Sequence, residues 1–213
     1  MATTIALIGF GEAGSGFARA AGWGATVRAF DIRADRAAVA AALGVPFAPG
    51  AAEALAGADM VLSLVTAYAA LGAARDYAQY LRRGALWCDM NSVAPDTKRG
   101  AATFVEAAGA RYVDVAVLAP VAPAWLRVPL LLAGPAADAA AGALGAAGFG
   151  NIRVVGEAIG RASAIKMIRS VMVKGIEALT AEMMLAATRA GVAEDVLASL
   201  DASERGASWF TRA

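Results

Sequence analysis

A short apolar run that ends in a glycine-spaced turn and passes at once into alanine-rich helical sequence constrains this chain more than any other feature. Ile5–Ile8 reads as a buried strand, and Gly9-Phe10-Gly11-Glu12-Ala13-Gly14 follows it. That order aims the N–H groups of a helix N-terminus at an anion, with no side chain in the way. Gly9 allows the tight turn, Gly11 the close approach of a diphosphate, and Gly14 the packing of helix on strand. A ligand-free turn can share this spacing. The strand before, the helix after and an acid downstream favour a dinucleotide site.

The same alternation continues along the chain. Apolar runs at 4–8, 26–30, 60–64, 86–89, 112–117, 129–133 and 152–155 read as strands. Helical stretches lie between them, near 13–21, 34–42, 51–55, 67–80, 95–108 and 136–147. Strands separated by helices predict βαβ units and a parallel sheet, a doubly wound α/β fold of Rossmann type. From residue 159 to 190 the pattern changes to one long helix, apolar around most of its circumference and so expected to be buried. A short helix near 193–200 and a polar, weakly patterned tail complete the chain. We expect a dinucleotide-binding domain over residues 1–156 and a helical piece over 157–213, concerned with substrate or dimerisation.

Composition removes several function classes. The chain has 213 residues, is 59% hydrophobic and 17% charged, and carries a net charge of +1. Such a chain fills a large core and has apolar surface to spare, which favours an oligomer or a missing partner surface. No basic cluster suggests a groove for nucleic acid. The first charge is Glu12, so no signal peptide is expected, and the charge-free runs are too short to span a bilayer. A single cysteine, Cys88, fits a reducing cytoplasm and sits in an apolar run, as an inert core thiol would. Without any histidine, metal sites and histidine triads are not expected.

Asp31 closes the second strand, 17 residues after Gly14. A carboxylate there accepts hydrogen bonds from both adenosine ribose hydroxyls and selects NAD over NADP. Repulsion of a 2′-phosphate at about 4 Å amounts to roughly 4 kcal/mol at an effective dielectric near 20. The other reading makes Asp31 an N-cap for the helix that follows. Arg33 and Arg36 suit either a cofactor phosphate or a solvated surface.

Of nineteen basic residues only three are lysines, Lys98, Lys166 and Lys174. The cationic surface is thus served by arginine, and a lysine in the most apolar helix needs a reason. Ser163, Lys166, Ser170, Lys174 and Glu177 form one polar stripe at helical spacing. A buried lysine has a lowered pKa and can move protons near neutral pH, as hydride transfer to or from an alcohol carbon requires. The stripe equally fits a face turned to solvent or to another subunit.

With these motifs the chain resembles the β-hydroxyacid dehydrogenases, the group of the 6-phosphogluconate and 3-hydroxyisobutyrate dehydrogenases. The glycine turn matches that family's cofactor loop. Asp89-Met90-Asn91-Ser92-Val93-Ala94-Pro95 matches its substrate loop, with Asn91 and Ser92 where Ser and Thr are usual. Asp114-Val-Ala-Val-Leu118-Ala119-Pro120 stands where Asp-Ala-Pro-Val-Ser-Gly-Gly is expected, and Gly160-Arg-Ala-Ser-Ala-Ile-Lys166 opens the interdomain helix. The resemblance implies Lys166 as catalytic acid/base and Asn91, Ser92 and Ser170 as substrate-binding residues. It implies Gly9, Phe10, Gly11, Glu12, Ala13, Gly14, Asp31, Arg33, Val65, Thr66 and Asn91 around NAD or NADP. It also implies a homodimer joined through C-terminal helices, here shortened. The apolar Leu118-Ala119-Pro120 points to a bulkier or less charged substrate. Two alternatives stand beside a dehydrogenase: a dinucleotide-binding protein without turnover, and an imine-reductase-like enzyme.

Overall fold

The computed structural model describes residues 3–203. Its elements in chain order are β1 (Ile5–Ile8), α1 (Glu12–Ala21), β2 (Val27–Phe30), α2 (Arg36–Ala42), α3 (Ala51–Leu55), β3 (Met60–Ser63) and α4 (Ala70–Tyr77). They continue with β4 (Leu86–Asp89), α5 (Pro95–Ala107), β5 (Arg111–Val117), β6 (Leu130–Ala133), α6 (Ala137–Ala146), β7 (Ile152–Val154), α7 (Arg161–Ala190) and α8 (Ala193–Ser203). The chain divides into two compact units, Met1–Met167 and Ile168–Ala213, with the division inside α7.

The first unit is a seven-stranded sheet in the order β2-β1-β3-β4-β5-β6-β7. All pairs are parallel except β5 with β6. Helices cover both faces, so β1, β3, β4 and β6 are buried along their whole length and read as unbroken apolar runs. One face carries Leu7, Leu62, Cys88 and Val113 against α1 and α6. The other carries Ile8, Val61, Trp87 and Tyr112 against α3, α4 and α5. The strand order reverses beside β1, and the crevice at the carboxyl ends of β1 and β3 is where doubly wound sheets take ligands.

The long helix departs from expectation. Its first turns are covered, with Ala162 and Ser163 buried, but beyond Met167 many apolar side chains are exposed, Ile168 by 74% and Leu179 by 72%. Apolar residues are spread around this helix, so its pattern does not choose a face. The polar stripe divides too. Ser163 faces the sheet, whereas Lys174 and Glu177 are exposed. The short C-terminal helix runs on into the weakly patterned tail as far as Ser203, and the remainder of the tail lies outside the described residues. None of the described helices is long and apolar enough to cross a membrane.

Candidate active site

The glycine turn has the geometry its spacing implies. Gly9 has φ +95°, and a Cβ there would run into the Leu64 carbonyl oxygen at the end of β3. A Cβ on Gly14 would strike the Gly9 carbonyl oxygen, whereas one on Gly11 would meet nothing within 4 Å. Two glycines therefore close the packing, and the third keeps open the approach to the N-terminus of α1. That is the fit a dinucleotide diphosphate needs.

Asp31 caps no helix: α2 has Asp35 at its N-cap position. Its carboxylate instead accepts the Phe10 N–H at 2.7 Å and the Arg33 N–H at 2.9 Å. The acid is thus fixed to the glycine turn, with lone pairs left on both oxygens. Arg33 pairs with Asp35 at 2.8 Å, on the surface. Val65 and Thr66 follow β3, half-buried and exposed respectively.

Past the ends of β1, β3, β4 and β5 opens a cavity of about 350 Å³ lined by Glu12, Ala13, Phe17, Leu64, Met90, Ser92, Val117, Ala119, Pro120, Val121 and Lys166. The cofactor turn, the substrate loop and the candidate lysine share this one wall. Lys166 Nζ donates to Ser92 Oγ. Burial, and secondarily the Lys98 ammonium, lower its pKa below the ordinary lysine value. Ser170 lies four residues further along α7, in the second unit.

Asn91 is buried and lies one layer behind. Its amide donates to Asp89 Oδ1 at 2.7 Å and to Ser63 Oγ at 3.0 Å, and its own Oδ1 has no partner. Cys88 is fully buried, and desolvation pushes its thiol up to about 12, which leaves it inert at neutral pH.

Sequence reasoning missed the polar cluster under this wall. Asp89 and Asp114 stand side by side in the parallel register of β4 and β5. Between them Lys98, with no exposed surface, reaches Asp89 Oδ1 at 3.0 Å and Asp114 Oδ1 at 3.6 Å. One signal was available, lysine where the chain otherwise uses arginine, but the polar neighbours Asp96, Thr97 and Arg99 masked it.

The first 65% of the chain, residues 4–141, matches the model of the NAD binding domain of 6-phosphogluconate dehydrogenase. A conserved hypothetical protein from Sinorhizobium meliloti 1021 is 43% identical, with a TM-score of 0.80 over 98% of this chain and 72% of its own. The Mycobacterium tuberculosis 3-hydroxyisobutyrate dehydrogenase, solved with L-serine, is 26% identical, with a TM-score of 0.84 over 98% of this chain and 73% of its own. A variant imine reductase from Myxococcus stipitatus, in complex with NAD+, is 25% identical, with a TM-score of 0.82 over 96% of this chain and 72% of its own. The chain spans about half the length, 55%, of the curated relative it matches, an uncharacterized 28.5 kDa protein of Methanothermus fervidus, at 28% identity over 146 residues. With its sheet order, its glycine turn and these matches, the chain belongs to the 6-phosphogluconate dehydrogenase-like, β-hydroxyacid dehydrogenase family.

Proposed function

We propose that this protein transfers a hydride between a nicotinamide cofactor and a hydroxy or carbonyl carbon, with Lys166 as acid/base. What carries the reading is that Lys166 Nζ lies in the wall of the same cavity as the start of α1 and is hydrogen-bonded to Ser92. Bound nicotinamide supplies the hydride acceptor or donor. In oxidation the Lys166 amine takes the substrate hydroxyl proton; in reduction the ammonium returns it. Ser92, in the cavity wall, orients the amine and binds substrate oxygen.

Phe17, Leu64, Met90, Val117, Pro120 and Val121 make the rest of the wall apolar. Pro120 has no N–H, and that of Leu118 is engaged by the Pro129 carbonyl at 3.0 Å. This favours a substrate whose reacting carbon carries an apolar group. An imine substrate is the second reading, favoured by the likeness to an imine reductase. The apolar side chains exposed on α7 suit a homodimer, which we place in the cytoplasm on its cysteine usage. The test is turnover with NAD across alcohols, hydroxy acids and, in reverse, ketones and imines. Cofactor binding without turnover across the panel would leave only a dinucleotide-binding module.

NAD is the preferred cofactor in this reading, through Asp31. Asp31→Ser is expected to shift the NADP-to-NAD affinity ratio at least about tenfold toward NADP, since it removes a repulsion worth roughly 4 kcal/mol at 4 Å and moderate dielectric. Calorimetric titration with both cofactors checks it, and an unchanged ratio would remove Asp31 from cofactor selection.

A further inference from the structure

The cluster beneath the cavity joins two segments that the proposed chemistry needs in register. Asp89 and Asp114 are neighbours across parallel strands, an arrangement that repels unless a cation stands between them. Lys98 is that cation. It also donates to the Asp89 backbone carbonyl at 2.5 Å. From Asp89 the bonds run to the substrate loop, through the Asn91 N–H at 3.0 Å and its side-chain amide at 2.7 Å. Tyr112 donates to the other Asp89 oxygen at 2.6 Å. From Asp114 they run to the opening of α7: Gly160 N at 3.1 Å, Ser163 N at 3.0 Å and Ser163 Oγ at 2.6 Å. One turn from Ser163 stands Lys166, and one residue from Asn91 stands Ser92.

We propose that Lys98 is a positioning residue for the chemistry at Lys166: by bonding both acids it holds the substrate loop and the first turn of α7 in one register, so that Ser92 Oγ meets Lys166 Nζ. The proposal rests on the acid/base role of Lys166 given above. A tie of this kind acts without touching substrate or cofactor. Surface-to-core packing alone does not explain it, because an apolar residue at position 98 would fill the space and leave the paired acids unbridged.

The test reads the amine itself. The chain has three lysines, so lysine labelled with 13C at the ε carbon gives three signals, with that of Lys166 assigned by its absence in Lys166→Met. The charged groups near this amine are Lys98 on α5 and Glu12 on α1, with Asp89 on β4 and Asp114 on β5 bound to Lys98. Of these, only Lys98 changes in Lys98→Met. In that variant the Lys166 midpoint is expected to rise by about half a unit or more toward the ordinary lysine value. Turnover is expected to fall about tenfold or more, with NAD affinity kept within twofold. A folded variant in which both midpoint and turnover stay as in the parent would overturn the proposal.

Should Lys98→Met fail to fold, Lys98→Met with Asp89→Asn keeps the formal charge of the cluster and carries the same two measurements. Failure of that pair to fold would also overturn the proposal, because the cluster would then be a folding element only. The titration reads the tie even if no substrate is found, so loss of the proposed activity and loss of this inference are told apart.

Discussion

Replacing Lys166 by Met is expected to lower turnover by about 10²- to 10⁴-fold, the usual contribution of a positioned general acid or base. NAD affinity should stay within twofold, because the substitution changes no group of the glycine turn or of Asp31. Methionine has similar length and fills the same half-buried space, so the loss would report the proton and not the packing. The pH profile carries a second signature. Burial and the Lys98 charge lower the Lys166 pKa in the folded protein. Oxidation needs the free amine, so its rate should rise with pH through that lowered value and then level off. Reduction needs the ammonium and should fall over the same range.

Stability has its own sign. Between the lowered folded value and the ordinary value near 10.4, the unfolded chain binds more protons than the folded one. Stability therefore rises with pH across that window, and below it the charged amine is a cost to the fold. Lys166→Met removes this cost and is expected to melt no lower than the parent at neutral pH. An inactive variant that is also strongly destabilised would point to a structural lysine, and retention of turnover within threefold would end the acid/base reading.

The sheet was legible because burial on both faces leaves nothing to interrupt an apolar run, as Ile5–Ile8 and Met60–Ser63 illustrate. The glycine turn was legible because each of its glycines answers a separate steric demand. Lys166 was legible as an anomaly within its helix, and its partner Ser92 came through the motif around Pro95. What a linear pattern cannot express is which face of a helix meets something. In α7 the apolar majority suggested burial throughout, yet at its start a polar residue, Ser163, is buried beside Ala162 because Asp114 offers it acceptors, while Ile168 is exposed. Lys98 was hidden for a related reason. It sits among Asp96, Arg99 and Thr97 and reads as part of a solvated turn of α5. Only the pairing of β4 with β5 brings two carboxylates together and turns that lysine inward.

The second large effect is expected at Asp114. Its carboxylate is fully buried and accepts three donors from the opening of a 30-residue helix while facing the Lys98 ammonium. A carboxylate at a helix N-terminus also gains from the helix dipole. Asp114→Ala leaves the Gly160 and Ser163 N–H groups without their acceptor and the Lys98 charge with Asp89 alone. Breaking a buried ion pair by removing one partner costs about 3–5 kcal/mol. At about 2–4 °C per kcal/mol for a protein of this size, the melting temperature should fall by roughly 6–20 °C. Asp114→Asn removes the charge and one acceptor oxygen but keeps a carbonyl acceptor, so it should fall between the parent and the alanine variant. Amide exchange adds the local reading: in Asp114→Ala, Gly160 and Ser163 should exchange faster than the strand amides of β4, because the opening of α7 loses its anchor before the sheet does. A cost below about 1 kcal/mol would match an exposed ion pair, and the bridge between the two carboxylates would then not be what holds the start of α7 to the sheet.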